Sequence, residues 1–251
     1  MMKKIIYLIS LFFLFAAGSV YAQKDRIEYL PNFDKRTLHF GYYLGMNSFN
    51  YKIDYKSPGS YNPIPPLDKE LSVDMENAYG FNIGFVVDLR LHDNINLRLE
   101  PGLMSNSLTF NFLNPNIGPE NPDYGGTTNT ERTVTGTYLH IPLLFKFSTN
   151  RLNNIRPYIL GGASYDYNFS SNEDNSLDNY DSQFRTTTHN FMYEVGLGME
   201  FYFYFFKFSP SIRGIFAIND QLVRDSKPES PWTGPIDSFG VKGIYLNLTF
   251  E

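Results

Sequence analysis

The sequence predicts an all-β fold, an eight-stranded antiparallel up-and-down barrel, and three observations predict it. Apolar residues recur with the two-residue period of a strand along eight segments. The links between those segments alternate short and long without exception. The face opposite the apolar one is rich in glycine, which suits a crowded interior better than a water-washed surface.

Ahead of the strands, Lys3 and Lys4 precede the apolar run Ile5 to Phe15, and the small-residue site Val20-Tyr21-Ala22 follows. That layout is expected of a cleaved secretory leader over residues 1–22, so the mature chain would begin at Gln23 and work beyond a cytoplasmic membrane. Residues 23–36 then read as an N-terminal periplasmic arm and residues 37–251 as the barrel.

Leu38, Phe40, Tyr42, Leu44 and Met46 set the first strand, alternating with His39, Gly41, Tyr43, Gly45 and Asn47. In the second, every odd position from Tyr79 to Leu91 is apolar, against Gly80, Asn82, Gly84, Val86, Asp88 and Arg90. The third runs Ile95, Leu97, Leu99, Pro101 and Leu103 against Asn96, Arg98, Glu100 and Gly102. The fourth sets Thr137, Leu139, Ile141, Leu143, Phe145 and Phe147 against Tyr138, His140, Pro142, Leu144 and Lys146. In the fifth, Ile159 through Phe169 at odd positions face away from Tyr158, Leu160, Gly162, Ser164, Asp166 and Asn168. The sixth places Phe191, Tyr193, Val195, Leu197, Met199 and Phe201 opposite Glu194, Gly196, Gly198 and Glu200; a helix there would smear carboxylates into its apolar side. Phe206, Phe208, Pro210, Ile212, Gly214 and Phe216 make the seventh, with Lys207, Ser209, Ser211 and Arg213 on the other face. Ile244, Leu246, Leu248 and Phe250 make the eighth. Each is near or above the ~9 to 11 residues a tilted strand needs to cross a bilayer.

Short links fall around His92-Asp93-Asn94, Asn150 to Asn154 and Tyr202 to Phe205. Long polar ones fall at Lys56 to Glu76, Asn114 to Glu131, Ser170 to Thr187 and Asn219 to Pro235. An outer-membrane barrel has this asymmetry, with tight periplasmic turns and long outer loops, and an even strand count puts both termini in the periplasm. A lipocalin-like barrel with its apolar face turned inward is the competing arrangement. The glycines of the polar face decide for lipid outside, and Phe40, Tyr79, Phe147, Tyr167, Phe169, Phe191 and Phe201 fit aromatic girdles.

Composition excludes several functions. Zero cysteines remove disulfides, thiolate metal sites and cysteine nucleophiles. With 21 basic and 26 acidic side chains, nucleic-acid binding has no electrostatic basis. A mean hydropathy of -0.30 argues against several spanning helices. No Gly-x-Ser-x-Gly and no phosphate-cradling glycine loop occur, so no catalytic residue, cofactor or small-molecule substrate is expected.

The inward positions hold His39, Asp88, Arg90, Arg98, Glu100, His140, Lys146, Asp166, Glu194, Glu200, Lys207 and Arg213. Both signs are present, so these read as a paired charge network plugging the lumen, with Arg98, Glu100, His140, Lys146, Glu194, Glu200 and Arg213 at its centre, because an unpaired buried charge is costly. A proton or ion path is the functional alternative. His39 and His140 lack the spacing of metal ligands and read as lumen filler. Glu173, Asp174, Asp178 and Asp181 crowd one loop without the glycine-turned spacing of a calcium loop, so no metal site is expected. The proline-rich stretches Tyr61–Pro66 and 228–235 read as extended outer linkers.

Tyr138-Leu139-His140-Ile141-Pro142-Leu143-Leu144-Phe145-Lys146-Phe147 stands between Arg98-Leu99-Glu100-Pro101-Gly102-Leu103 and Arg156-Pro157-Tyr158-Ile159-Leu160-Gly161-Gly162. With the leading segment Leu30-Pro31-Asn32-Phe33-Asp34-Lys35-Arg36 and the later Phe206-Lys207-Phe208-Ser209-Pro210-Ser211, it resembles the PorT family of Bacteroidetes outer-membrane barrels over essentially the whole mature chain. The resemblance implies a non-enzymatic component of the type IX secretion system, which also supports gliding motility in gliding species. Its partners would be outer-membrane lipid and other proteins of that system. A stand-alone surface barrel for adhesion, membrane stability or ligand capture is the alternative, and co-purification with the secretion apparatus separates the two.

Overall fold

The computed structural model describes residues 27–56, 72–77, 79–113, 131–174, 184–226, 230 and 232–251. The expected leader, residues 23–26 of the arm, Tyr61–Pro66, Asp178, Asp181 and Pro228 lie outside the described residues.

Ten strand segments form the wall: β1 (Leu38–Tyr55), β2 (Ser72–Asn77), β3 (Tyr79–His92), β4 (Ile95–Leu99), β5 (Gly102–Leu113), β6 (Glu131–Ser148), β7 (Ile155–Asn168), β8 (His189–Tyr202), β9 (Lys207–Ala217) and β10 (Ile236–Phe250). Every pairing is antiparallel, and β1 pairs with β10 on one side and β3 on the other, which closes the ring. The ten segments amount to eight wall strands. β4 and β5 are two halves of one strand, interrupted at Glu100–Pro101 because proline has no ladder donor to give. The wall stays bonded there, since Phe85 N donates to Pro101 O (2.9 Å) and Glu100 N to Pro142 O (3.2 Å). β2 prolongs β3 upward by pairing with β5, so the first long link ends as sheet.

Two features differ from the sequence expectation. Strands β1 and β6 run to 18 residues each, well beyond the segments with an apolar face. Phe206 falls in the turn, and β9 begins only at Lys207.

The short turns, the C-terminus and residues 27–36 share one end of the barrel, and the long connections share the other; we call these the turn end and the loop end. The apolar parity faces out, as Phe40, Phe85, Leu197 and Ile244 show, with Phe85 71% exposed. This removes the lipocalin-like arrangement. Phe40 and Phe147 girdle the wall near the turn end, and Tyr79, Phe169 and Phe191 near the loop end.

Above that band the alternation inverts. On β1 the outward residues pass from Leu44 and Met46 to Ser48, Asn50, Lys52 and Asp54, while the inward ones pass from Tyr43 and Asn47 to Phe49, Tyr51 and Ile53. β10 switches between Lys242 and Ile244, β6 between Thr137 and Leu139, and β5 between Leu103 and Ser105. The wall therefore leaves hydrocarbon at these rows, and its upper part stands in water around an apolar interior.

Candidate functional site: the filled lumen

Period-two alternation sends one side chain in two into the bore, and eight strands leave a bore that side chains can fill. Glycines make the room: the Tyr43 ring lies against Gly84 and Gly102, and Tyr158 against Gly198, positions where a Cβ would collide with the ring.

In the lower half, six charges of alternating sign form a closed ring. Arg98 meets Asp88 (3.2 Å) and Glu251 (2.9 Å). Asp88 meets Lys146 (2.6 Å), Lys146 meets Glu200 (3.0 Å), Glu200 meets Lys207 (3.1 Å), and Lys207 returns to Glu251 (2.7 Å). The six come from β3, β4, β6, β8, β9 and the residue after β10, so the ring ties the wall together across the bore. All six side chains are almost wholly buried. Three cations against three anions leave the layer neutral, the condition under which buried charge is tolerable.

A second tier stands on the first. Arg98 reaches Glu100 (3.4 Å), Arg213 bridges Glu100 (2.6 Å) and Glu194 (3.7 Å), and His140 lies between Glu194 (3.2 Å) and Asp166 (2.6 Å). Enclosed between two acids, His140 has no open face for a substrate.

The structure thus brings Arg98, Glu100, His140, Lys146, Glu194, Glu200 and Arg213 into one lattice, together with Asp88, Asp166 and Lys207. Arg90 stands apart: it lies at the turn-end rim, bonded to Asp93 and to Lys35 O, because the last rows of β3 project beyond the bore. His39 also sits at the rim, its Nε2 2.8 Å from Phe33 O and its ring stacked on Phe33. Sequence reasoning missed Glu251, which pairs backbone to backbone with Lys207 and turns its carboxylate inward.

Below the ring the arm crosses the opening. Asp34 accepts from the Tyr202 hydroxyl (2.7 Å) and lies 3.6 Å from Arg156. Arg151 donates to Leu30 O (3.3 Å) and Tyr29 O, and Tyr29 N donates to Asn154 Oδ1 (2.9 Å). The described arm is therefore clamped to its own barrel.

Above the charges the lining changes character. Phe49, Tyr51, Met104, Leu108, Phe110, Tyr138 and Phe239 pack with Phe184, Leu222 and Trp232, which the long connections fold inward. Tyr51 stacks on Phe239 with ring centroids 4.3 Å apart, and Arg132 lies 3.8 Å over the Trp232 ring. Charges occupy only the lower half of the bore, because the upper lining faces no lipid and uses its apolar residues as a core. A void of about 10 Å³ beside Tyr51 and Met192 has no room for more than one water.

Comparison with known proteins places this geometry. Residues 21–223 match a family described as outer membrane protein beta-barrel domain. Among solved structures, the outer membrane protein OprG from Pseudomonas aeruginosa aligns at 11% identity and TM-score 0.44, over 84% of this chain and 93% of that one. AlkL in lipid bilayers aligns at 12% and 0.37, over 92% of each chain. The attachment invasion locus protein Ail of Yersinia pestis aligns at 10% and 0.33, over 84% of this chain and 96% of its own. No curated protein matches the sequence.

Proposed function

This chain belongs to the outer membrane protein beta-barrel domain family, and from that premise we propose that it is a non-enzymatic component of the type IX secretion system, in an accessory or assembly role. The filled lumen is the observation that carries the accessory role. A bore occupied by two tiers of ion pairs and an aromatic core cannot pass a folded cargo, so export must use another conduit. The PorT-like motifs around Tyr138–Phe147 and Leu30–Arg36 support the secretion assignment. The turn end, where the arm and both described termini gather, is then periplasmic, and partners meet the barrel through its wall, its loops or the clamped arm. In gliding species the same role extends to surface motility.

The test is deletion of the protein, with cargo export and translocon composition measured together. We expect export to fail with the translocon depleted or misassembled. Failed export with a translocon of normal abundance and composition would exclude an assembly role. Intact export would exclude the secretion reading and favour a stand-alone surface barrel.

A further inference from the structure

Two depressions on the outer wall near the loop end share Phe216 and Lys242. The lower one, about 570 Å³, is lined by Ser48, Asn50, Ile212, Gly214 and Ile244 as well. The upper one, about 260 Å³, continues past Ser238 and Gly240 into the aqueous rim. Gly214 points outward between Ile212 and Phe216, and its missing side chain forms the floor of the lower depression.

Lys242 stands at the height where β10 passes from polar to apolar outside, paired in register with Asn50 and Phe216. The acids beside it are engaged: Asp54 with Lys52 (2.8 Å) and Asp220 with Arg224 (3.1 Å). Among the described ion pairs none uses Lys242, so its ammonium faces the headgroup zone with its charge uncompensated. A comparable groove over Ile83, Phe85, Pro101 and Leu103 is about 530 Å³ but has no cation in its lining.

We propose that this face binds an anionic, phosphate-bearing lipid of the leaflet at the loop end, with the phosphate at Lys242 and one acyl chain over Gly214. An apolar trough running up to one uncompensated cation matches a lipid with a charged head, whereas the cation-free groove can take only undiscriminated hydrocarbon. The inference does not rest on the secretion role.

Native mass spectrometry of the full barrel in mild detergent tests it, with phosphatidic acid and phosphatidylcholine of the same acyl chains as probes. The native protein should retain phosphatidic acid preferentially. Lys242→Gln should lower that retention about fivefold, the effect of one basic residue at an anionic lipid surface, and leave phosphatidylcholine unchanged. Lys52→Gln, which removes a cation at the edge of the upper depression that already pairs with Asp54, should lower phosphatidic acid retention less than Lys242→Gln does. Gly214→Leu, which fills the trough but keeps the cation, should lower phosphatidic acid retention as well. Equal retention of both lipids by the native barrel, unaltered retention by Lys242→Gln, or an equal loss in Lys52→Gln would overturn the proposal. Displacement of phosphatidic acid by glycerol phosphate would overturn the lipid assignment in favour of a free-phosphate site.

Discussion

Arg98 shows what a single residue does in this lumen. Its guanidinium touches Asp88, Glu100 and Glu251 at 2.9 to 3.4 Å and belongs to both tiers. Removing it leaves Asp88, Glu100 and Glu251 to share Lys146, Arg213 and Lys207 with their other partners and the buried ring with one negative charge in excess, a larger penalty than the net value of any one ion pair. Arg98→Met should therefore destabilise the barrel by about 3–5 kcal/mol, the range for breaking a buried pair on one side only. Arg90→Met at the rim, whose partner Asp93 is largely exposed, should cost under about 1 kcal/mol. Urea unfolding of the barrel in lipid checks both, and adding Glu251→Gln to Arg98→Met should restore part of the loss by making the ring neutral again. Equal midpoints for the Arg98 and Arg90 variants would mean that the ring carries no structural load.

At the scale of a strand, the inversion of alternation locates the bilayer. Leu44 faces out in the middle of the apolar band, between Leu248 and Ile83, whereas Asn50 faces out above it, beside Lys242. Leu44→Arg should cost about 2–4 kcal/mol and Asn50→Arg about 0–1 kcal/mol, the dependence on depth expected of a lipid-facing charge. Unfolding midpoints in phospholipid vesicles compare them, and similar costs would place the band elsewhere. The same inversion explains which parts of the fold were legible in the sequence. Eight segments and their parities were readable from the alternation at Leu38–Met46 or Phe191–Phe201, and the outward sense of the apolar face from the glycines opposite it, such as Gly41, Gly45, Gly196 and Gly198. The upper halves were not, because a reading keyed to one greasy parity ends where that parity turns polar, at Ser48 on β1 and Ser105 on β5. Phe49, Tyr51 and Phe110 continue the same strands with their apolar residues on the other face. The inward charges were readable for the same reason as the strands. Glu251 and Asp34 were not, since a terminal residue and an arm residue read as solvent-exposed until the fold brings them to Lys207 and Tyr202.

On the scale of the whole molecule, three obstructions stand in series along one axis: the arm clamped by Asp34 and Arg151, the two-tier ion lattice, and the aromatic core. Each is held by a different force, so no single change opens the bore. The ring resists an ion because every charge already has opposite neighbours within 3.2 Å. The core resists it because it offers little room and little polar lining to replace a hydration shell. Purified barrel inserted into a planar bilayer at neutral pH should therefore show no steady single-channel conductance. Hollowing the upper core alone, with Phe110→Ala and Phe239→Ala, should leave it silent, since the lattice beneath is untouched. Adding Lys146→Ala, which severs the ring at the link between Asp88 and Glu200, should still give no current, because the second tier and the clamped arm stand in series with it. Regular conductance steps from the native protein would show that the bore is open, and with it would fall the argument that export must take place elsewhere.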